Sequence, residues 1–394
     1  MKASWQIKMK KAIIIIPTYN ERENIAKVVP ILETIFTQIK NWQMHILVVD
    51  DSSPDNTAGM VKDLQKQNSN LHLLVNKQKN GLGSAYLKGM DKAFHELGAD
   101  VVFEFDADLS HDPQRIPAFI AKLDEGYDMV LGSRYIPGGG IPANWGWYRK
   151  FLSVVGNIVI MLVLTDFRIR DWTGGYRAIT KKVYEAISPE MNTERFAGYT
   201  FQLGFLHKTM HRGFKVTEVP FHFADRTIGK SKLGAESIKN TLLYIIKERM
   251  KEFLNNRIFK FVIVGGTGAL VQLVTLKLWW LFLTYNIASF LSIECAVLLN
   301  FILSNLWTFS DRKLTMQQVP AKFVQFNLAS AGSILIQLAI AFTGNYLIGA
   351  KRAIFTLPII HFVIVWGLVF SVVGILIGMF WNFFAYSRFV WKKK

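Results

Sequence analysis

The chain has 394 residues, a formal net charge of +17 and one cysteine. That length exceeds one ordinary domain, and a lone cysteine, Cys295 in an apolar run, excludes a disulfide within the chain and gives no sign of thiol chemistry. The basic excess fits nucleic acid, an anionic membrane or phosphorylated substrates, but there is no arginine-rich patch or nucleic-acid module, and residues 258–391 are dominated by Phe, Leu, Ile, Val and Trp, so a lipid bilayer is the expected partner and nucleic acid is not.

The N-terminus MKASWQIKMKKA is basic but is followed by only four isoleucines and then P-T-Y-N-E. This is too short for a signal-peptide core, so the first part of the chain is expected to stay in the cytoplasm. Ile13–Ile16, closed by Pro17, reads as a buried parallel strand. Asn20, with Glu23 three residues on, predicts a cap and a helix to about Ile39. His45–Val49 is a second strand ending in Asp50 and Asp51, and Leu71–Val75 a third. Asn80–Gly83 turns into a helix over Ala85–Leu97, Val101–Phe105 is the fourth strand, a helix follows near Arg115–Leu123, and Met129–Leu131 is another strand. Such alternation predicts an α/β fold with a mostly parallel sheet flanked by helices.

Polar and acidic residues recur where the strands end: Tyr19 and Glu21, Asp50 and Asp51, then Asp106 and Asp108. In an open α/β sheet, ligands bind beyond the carboxyl ends of the strands. The stretch VVFEFDADLSHD (101–112) ends a buried strand in alternate carboxylates. Asp-x-Asp fits a loop with a helix cap; it also fits a divalent cation carrying a phosphate. The recurrence along one edge favours the second. G-L-G at 81–83 lacks the spacing of a dinucleotide fingerprint and follows the third strand, which excludes a hydride-transfer reading.

Several motifs occur in order over residues 11–240. They are P-T-Y-N-E (17–21), V-V-D-D-S-S-P-D (48–55), N-G-L-G-S-A (80–85), D-A-D-L-S-H-D-P (106–113), G-S-R-Y (132–135), W-Y-R-K (147–150), D-W-T-G-G-Y (171–176) and V-P-F-H-F-A-D-R…G-K-S-K-L-G (219–234). Together they resemble family 2 glycosyltransferases, and more closely the dolichol-phosphate (polyprenol-phosphate) mannose synthases. The resemblance implies a GT-A fold, transfer of mannose from GDP-mannose to a polyprenyl or dolichyl phosphate with inversion, and Mg²⁺ or Mn²⁺ as cofactor. It implies that Pro17, Tyr19, Glu21, Val49, Asp51, Asp106, Ala107 and Asp108 contact the donor. Arg226 and Lys232 match a basic loop closing over it, and Arg134, Arg149 and Ser153 match positions used on the acceptor phosphate. Asp106, Asp108 and Arg134 would carry the catalysis. Asp108 would be the main metal ligand, with Asp106 in support. Some relatives have Gln where this chain has Ser110, a shorter and weaker ligand.

Arg134 also fits a strand-end ion pair, Arg149 a surface charge beside Trp145 and Trp147, and Asp171 a turn residue. His207 and His211 are one helical turn apart, without an evident third metal ligand. Residues 144–164 read as an interfacial helix, with Gly146, Arg149, Lys150 and Asn157 against a full span. A second amphipathic candidate covers 235–257.

The expected organisation is a cytoplasmic GT-A domain over 1–231, an interfacial helix or linker over 232–257, and a four-helix transmembrane domain over 258–394. Its spans are expected at about 259–282, 287–308, 322–349 and 356–386, each long enough for a hydrocarbon core. Basic residues in 310–322 and the tail WKKK place both on the cytoplasmic side, with Lys351 and Arg352 as exceptions. GALVQL (268–273) echoes GSILIQL (332–338), and Asn300-Phe301 echoes Asn382-Phe383, consistent with a repeat of two hairpins. This part resembles the GtrA-like membrane family. Rival functions are a UDP-glucose-dependent polyprenyl-phosphate glucosyltransferase and a lipid-linked sugar flippase whose first domain only binds nucleotide sugar. A processive polysaccharide synthase is disfavoured by the lack of Q-x-x-R-W.

Overall fold

A computed structural model describes residues 9–79, 81–193, 199–225, 235–283, 285–349, 352–357 and 362–392. The chain divides into two compact units, Met1–Arg249 and Met250–Lys394.

The first unit runs β1 (Lys10–Thr18), α1 (Arg22–Phe36), β2 (Trp42–Asp50), α2 (Thr57–Gln65), β3 (Leu71–Val75), α3 (Leu82–Asp91) and β4 (Val101–Glu104). It continues through α4 (Ile116–Asp124), β5 (Met129–Ser133), α5 (Trp147–Leu164), β6 (Arg177–Thr180), α6 (Lys181–Thr193), α7 (Tyr199–His211) and β7 (Val216–Pro220). The last helix, α8 (Ala235–Asn255), crosses into the second unit. Among the described residues the strands form one sheet in the order β3-β2-β1-β4-β6-β5-β7. All neighbours are parallel except β6, which is antiparallel to both β4 and β5.

Both faces of the sheet are covered. Ile13, Ile15, Leu47, Val49 and Val102 face a core shared with α3 and α5 to α8. Ile14, Ile16, Ile46, Val48, Val101 and Phe103 face a second core with α1, α2 and α4. A strand buried on both sides has no wet face to pattern, which is why β1 carries an unbroken β-branched run. Helix α3 approaches this sheet closely: a Cβ on Gly89 would lie 2.8 Å from Ile15 Cγ2 and 3.0 Å from Val49 Cγ2. Both methyls sit on short β-branched side chains that cannot swing away. Gly89→Val should therefore destabilise the first unit by about 2 kcal/mol, read by thermal or denaturant unfolding.

Helix α1 starts one residue later than a cap at Asn20 requires. Asn20 has φ 62°, in the left-handed region, and Glu21 occupies the N-cap position. The helix ends at Phe36, short of Ile39.

The second unit contains α9 (Arg257–Trp280), α10 (Tyr285–Leu303), α11 (Val319–Leu347), β8 (Ala353–Leu357), β9 (Phe362–Val365) and α12 (Trp366–Ala385). Helix α9 packs on α10, and α11 on α12. The two hairpins are built alike. Each second helix ends in a π-helical turn, Ser304–Thr308 and Tyr386–Val390. Phe261 of α9 meets Phe383 of α12 at 5.5 Å, and Phe326 of α11 meets Phe301 of α10 at the same 5.5 Å. Phe309 and Trp391, each just beyond its π turn, stack at 4.5 Å. Among the described residues of the segment expected as a span over 356–386, helix begins at Trp366. The apolar residues before it pair as the antiparallel strands β8 and β9.

Candidate active site

Strands β1, β2, β4 and β5 run parallel, so their carboxyl ends share one edge. Because β6 is antiparallel, its amino end lies at that same edge, and D-W-T-G-G (171–175) leads into it. Topology therefore brings Asp171 to the residues ending β1, β2, β4 and β5. Backbone strain gathers there too: Asn20 (φ 62°), Ser52 (φ 56°) and Leu109 (φ 58°) follow β1, β2 and β4. For a bulky leucine this conformation is costly, as is common at functional turns.

One corner lies beyond β1 and β2. Buried Asp50 is bound by Thr18 Oγ1 at 3.0 Å and by the Ser53 amide at 3.0 Å. The Asn76 side-chain amide donates to Asp51 Oδ1 at 2.6 Å, and the Ser52 hydroxyl to Asn76 O at 2.5 Å. Glu21 Oε2 accepts from Asn24 at 2.6 Å, and Lys79 Nζ lies 3.7 Å from the Tyr19 ring centroid. A cleft of about 470 Å³ lined by Val75, Asn76, Lys77, Gln78 and Lys88 opens at the end of β3. Pro17 is half-buried on β1, opposite Val49 in the parallel register. The Val49 side chain is fully buried in the core beside α3. Only its backbone is left to meet a ligand at this edge, because alternation along the strand turns the side chain inward.

The second corner is the turn after β4. Asp106 and Asp108 are half-buried, with Ala107 between them turned into the core. The Tyr86 hydroxyl donates to Asp106 Oδ1 at 3.3 Å. The Asp106 amide donates to His111 Nδ1 at 3.1 Å, which leaves the ring proton on Nε2, 3.8 Å from Asp106 Oδ2. His111 is buried and lies flat on Tyr176 at 4.8 Å. Asp108 Oδ1 accepts the Ser110 amide at 3.1 Å. The Ser110 hydroxyl is buried, with no hydrogen-bond partner among the described residues. One layer down, Glu104 and Arg177 face each other at 3.9 Å, both fully buried. Burial pushes the Glu104 carboxyl up to about 7 against the pull of Arg177, and Asp106 adds to the rise. Arg177 donates to the carbonyls of Gly174 at 2.9 Å, of Trp172 at 3.5 Å and of Gln202.

The third corner is basic. Arg134, just past β5, donates from Nε and Nη2 to the two oxygens of Asp171 at 2.7 and 2.8 Å. This is the strong bidentate geometry. Arg134 Nη2 also donates to Thr173 Oγ1 at 2.8 Å. Burial opposes ionisation of Asp171, but the Arg134 charge and hydrogen bonds outweigh it and hold the carboxyl below its usual range. Glu218 of β7 accepts the Arg170 and Asp171 amides, both at 3.0 Å. The Tyr135 hydroxyl meets Ser153 Oγ of α5 at 2.5 Å. The Arg149 guanidinium lies 3.7 Å over the Trp145 ring and 3.5 Å from Asp225.

Residues 13–188 match the family described as Glycosyl transferase family 2, and residues 260–391 the GtrA/DPMS transmembrane domain. The polyprenol monophosphomannose synthase of Mycolicibacterium smegmatis is 37% identical over 237 residues, covering 60% of this chain and 86% of the relative. The dolichol-phosphate mannosyltransferase of Pyrococcus furiosus is 34% identical over 339 residues, 84% of this chain and 89% of the relative. The undecaprenyl-phosphate mannosyltransferase of Micrococcus luteus is 32% identical over 237 residues, 60% and 93%. This chain belongs to the polyprenol-phosphate mannose synthase family of family 2 glycosyltransferases. It is a membrane protein, with the synthase domain followed by a GtrA/DPMS membrane domain.

Of the synthase residues expected from sequence, the edge gathers Tyr19, Glu21, Asp51, Asp106, Asp108, Arg134 and Ser153, with Arg149 on α5. Arg226 and Lys232 fall in 226–234, outside the described residues. His207 and His211 have ring centroids 6.2 Å apart. Among the described residues, no three His, Cys, Asp or Glu side chains cluster as a metal site, so a cation at Asp106 and Asp108 needs oxygens from elsewhere. Sequence reasoning missed Glu104, Arg177, Glu218, Asn76 and Thr173. Asn76, Thr173 and Glu218 hold Asp51, Arg134 and the Asp171 amide, Arg177 holds carbonyls of the loop before β6, and Glu104 faces Arg177; such roles leave no motif of their own.

Proposed function

We propose that this chain transfers mannose from GDP-mannose to a polyprenyl (dolichyl) phosphate with inversion, giving a polyprenyl β-mannosyl phosphate. The observation that carries this is the alignment along 86%, 89% and 93% of three proteins whose names state mannosyl transfer or mannose synthesis on a polyprenol-type phosphate.

The acceptor brings its own nucleophile. A phosphate monoester has a second pKa near 6, so its oxygen is largely ionised at neutral pH and needs no strong base. That oxygen forms a bond to the anomeric carbon as the bond to GDP breaks, and GDP leaves with the electron pair. The protein must hold two anionic groups close together. Arg134, Arg149 and Ser153 are assigned to the acceptor phosphate, and Arg226 and Lys232 to the donor. Tyr19, Glu21 and Asp51 are assigned to the guanosine end, together with the backbone at Pro17 and Val49.

Asp106, Asp108 and Ala107 are assigned to the donor diphosphate. The two carboxylates fit a hard divalent cation, which is commonly held by one or two carboxylates with substrate phosphates and water. The buried hydroxyl of Ser110, with no partner among the described residues and two residues on from Asp108, is assigned as a third oxygen. Bound there, Mg²⁺ or Mn²⁺ would offset diphosphate charge as the leaving group departs. Ser110→Ala should raise stability without divalent cation by about 1 kcal/mol, because it removes an unsatisfied buried hydroxyl. It should also raise the cation concentration needed for half-maximal activity. An unchanged cation requirement would take Ser110 out of the site.

Helix α5 is long and apolar enough to cross a membrane, yet Ile160, Met161 and Leu164 are packed into the core. Its other face exposes Trp147, Phe151, Val154, Ile158 and Leu162. This fits an interfacial helix lying along the bilayer. The assignment of domains is 1–231 synthase, 232–257 interfacial helix and 258–394 four spans, with the synthase domain on the cytoplasmic side.

The decisive experiment incubates the full-length protein in liposomes with polyprenyl phosphate and a panel of labelled nucleotide sugars. Transfer from GDP-mannose is expected to dominate. Preferred transfer from UDP-glucose would replace the donor assignment, and binding without transfer would favour a flippase.

A further inference from the structure

Helix α5 exposes one apolar face, proposed above to meet lipid, and turns another to the active site, and Asn157 stands on the second. It is 2% exposed, on the side of the helix away from Trp147, Phe151 and Ile158. A primary amide buried in an apolar face is costly unless its groups are paired. Here they are. Asn157 Oδ1 accepts the Trp172 amide at 2.8 Å. Its Nδ2 donates to Ser153 O at 2.9 Å and to Thr173 Oγ1 at 3.3 Å. Thr173 Oγ1 also accepts Arg134 Nη2 at 2.8 Å and donates to Asp171 Oδ1 at 3.4 Å. The single proton and both lone pairs of that hydroxyl are thus used. Fixed in this way, Thr173 joins the α5 amide to the Arg134 guanidinium. A shift of α5 by a fraction of a hydrogen bond is felt at Arg134 through two contacts.

We infer that Asn157 is a positioning residue for the acceptor phosphate. It ties the lipid-facing helix to Arg134 through Thr173, so that the guanidinium is set where the helix presents the lipid phosphate. This rests on the assignment of Arg134 to the acceptor phosphate.

The test uses the full-length protein in liposomes, with both Michaelis constants measured. Asn157→Leu should raise KM for polyprenyl phosphate about tenfold and leave KM for GDP-mannose within about twofold. KM does not depend on the fraction of protein that is active, so a merely structural role would not produce this split. Thr173→Val should give a similar acceptor effect. If the two side chains act in series, the double variant should be no worse than the more damaging single variant. An acceptor KM unchanged in Asn157→Leu, or effects that multiply in the double variant, would overturn the inference. Should Asn157→Leu fail to accumulate, Thr173→Val alone decides, and an unchanged acceptor KM there counts against the relay. Arg134→Lys separates the two levels. If its acceptor KM is unchanged, the assignment of Arg134 fails. If its acceptor KM rises while Asn157 and Thr173 act independently, only the relay fails.

Discussion

Asp108→Asn should lower mannosyl transfer about a thousandfold while leaving the fold intact. Asparagine keeps the shape of aspartate and the oxygen that accepts the Ser110 amide at 3.1 Å, so the turn after β4 is preserved. What is lost is one negative charge, at the corner proposed to balance the donor diphosphate through a cation. Removing a single oriented electrostatic partner typically costs a factor of about 100 to 1,000, and weakened cation binding adds to it. Two measurements check this. The specific rate should collapse, and the cation-dependent part of GDP binding should vanish, while the melting temperature stays within about 2 °C of wild type. Full transfer activity would sink the diphosphate–metal role of this corner. Asp106→Asn is a less clean test, because Asp106 also receives the Tyr86 hydroxyl at 3.3 Å and its amide is fixed by His111.

Much of that corner is legible in the sequence. The strands β1, β2 and β4 are short β-branched runs that stop at polar residues, and a run buried on both faces has few other solutions. Their parallel order follows from the intervening helices, and with it the shared carboxyl edge. What failed to show was whatever depends on long-range pairing. Strand β6 is four residues, R-A-I-T, whose first residue is a fully buried arginine. No alternation marks it, and its antiparallel insertion between β4 and β5 is what carries Asp171 to the edge. In sequence Asp171 fits a turn residue, and only the family resemblance puts its carboxylate near the site. In sequence Asn157 is a polar mark on an apolar helix; Trp147–Leu164 is helical, but the Asn157 side chain is buried and serves the loop before β6. In the last span an apolar run suits a strand as well as a helix, and residues before Trp366 pair as β8 and β9.

The basic corner invites the sharpest separation of structure from function. Asp171→Asn should destabilise the first unit by about 3 to 5 kcal/mol, because it leaves the Arg134 guanidinium in a buried place without its counter-charge. The side chains concerned are 0% and 9% exposed, so solvent offers little relief. In a unit of this size the melting temperature should fall by roughly 10 °C. The pH dependence has a fixed sign. Asp171 titrates below its usual 3.8 in the folded protein, so its contribution is complete above that value and is lost as pH falls through the lower folded one. Wild type should therefore lose stability in acid below about pH 3.8, over and above any loss in Asp171→Asn. A second variant separates the costs. Replacing both partners, as Arg134→Met with Asp171→Leu, removes the unpaired charge, and such exchanges are often neutral or stabilising. The double variant should regain most of the lost stability and still transfer no mannose at ordinary acceptor concentrations. Recovered activity would show that the pair only braces the loop before β6. Recovered stability without activity would mean that Asp171 holds Arg134 in place and that Arg134 is the group the lipid phosphate meets.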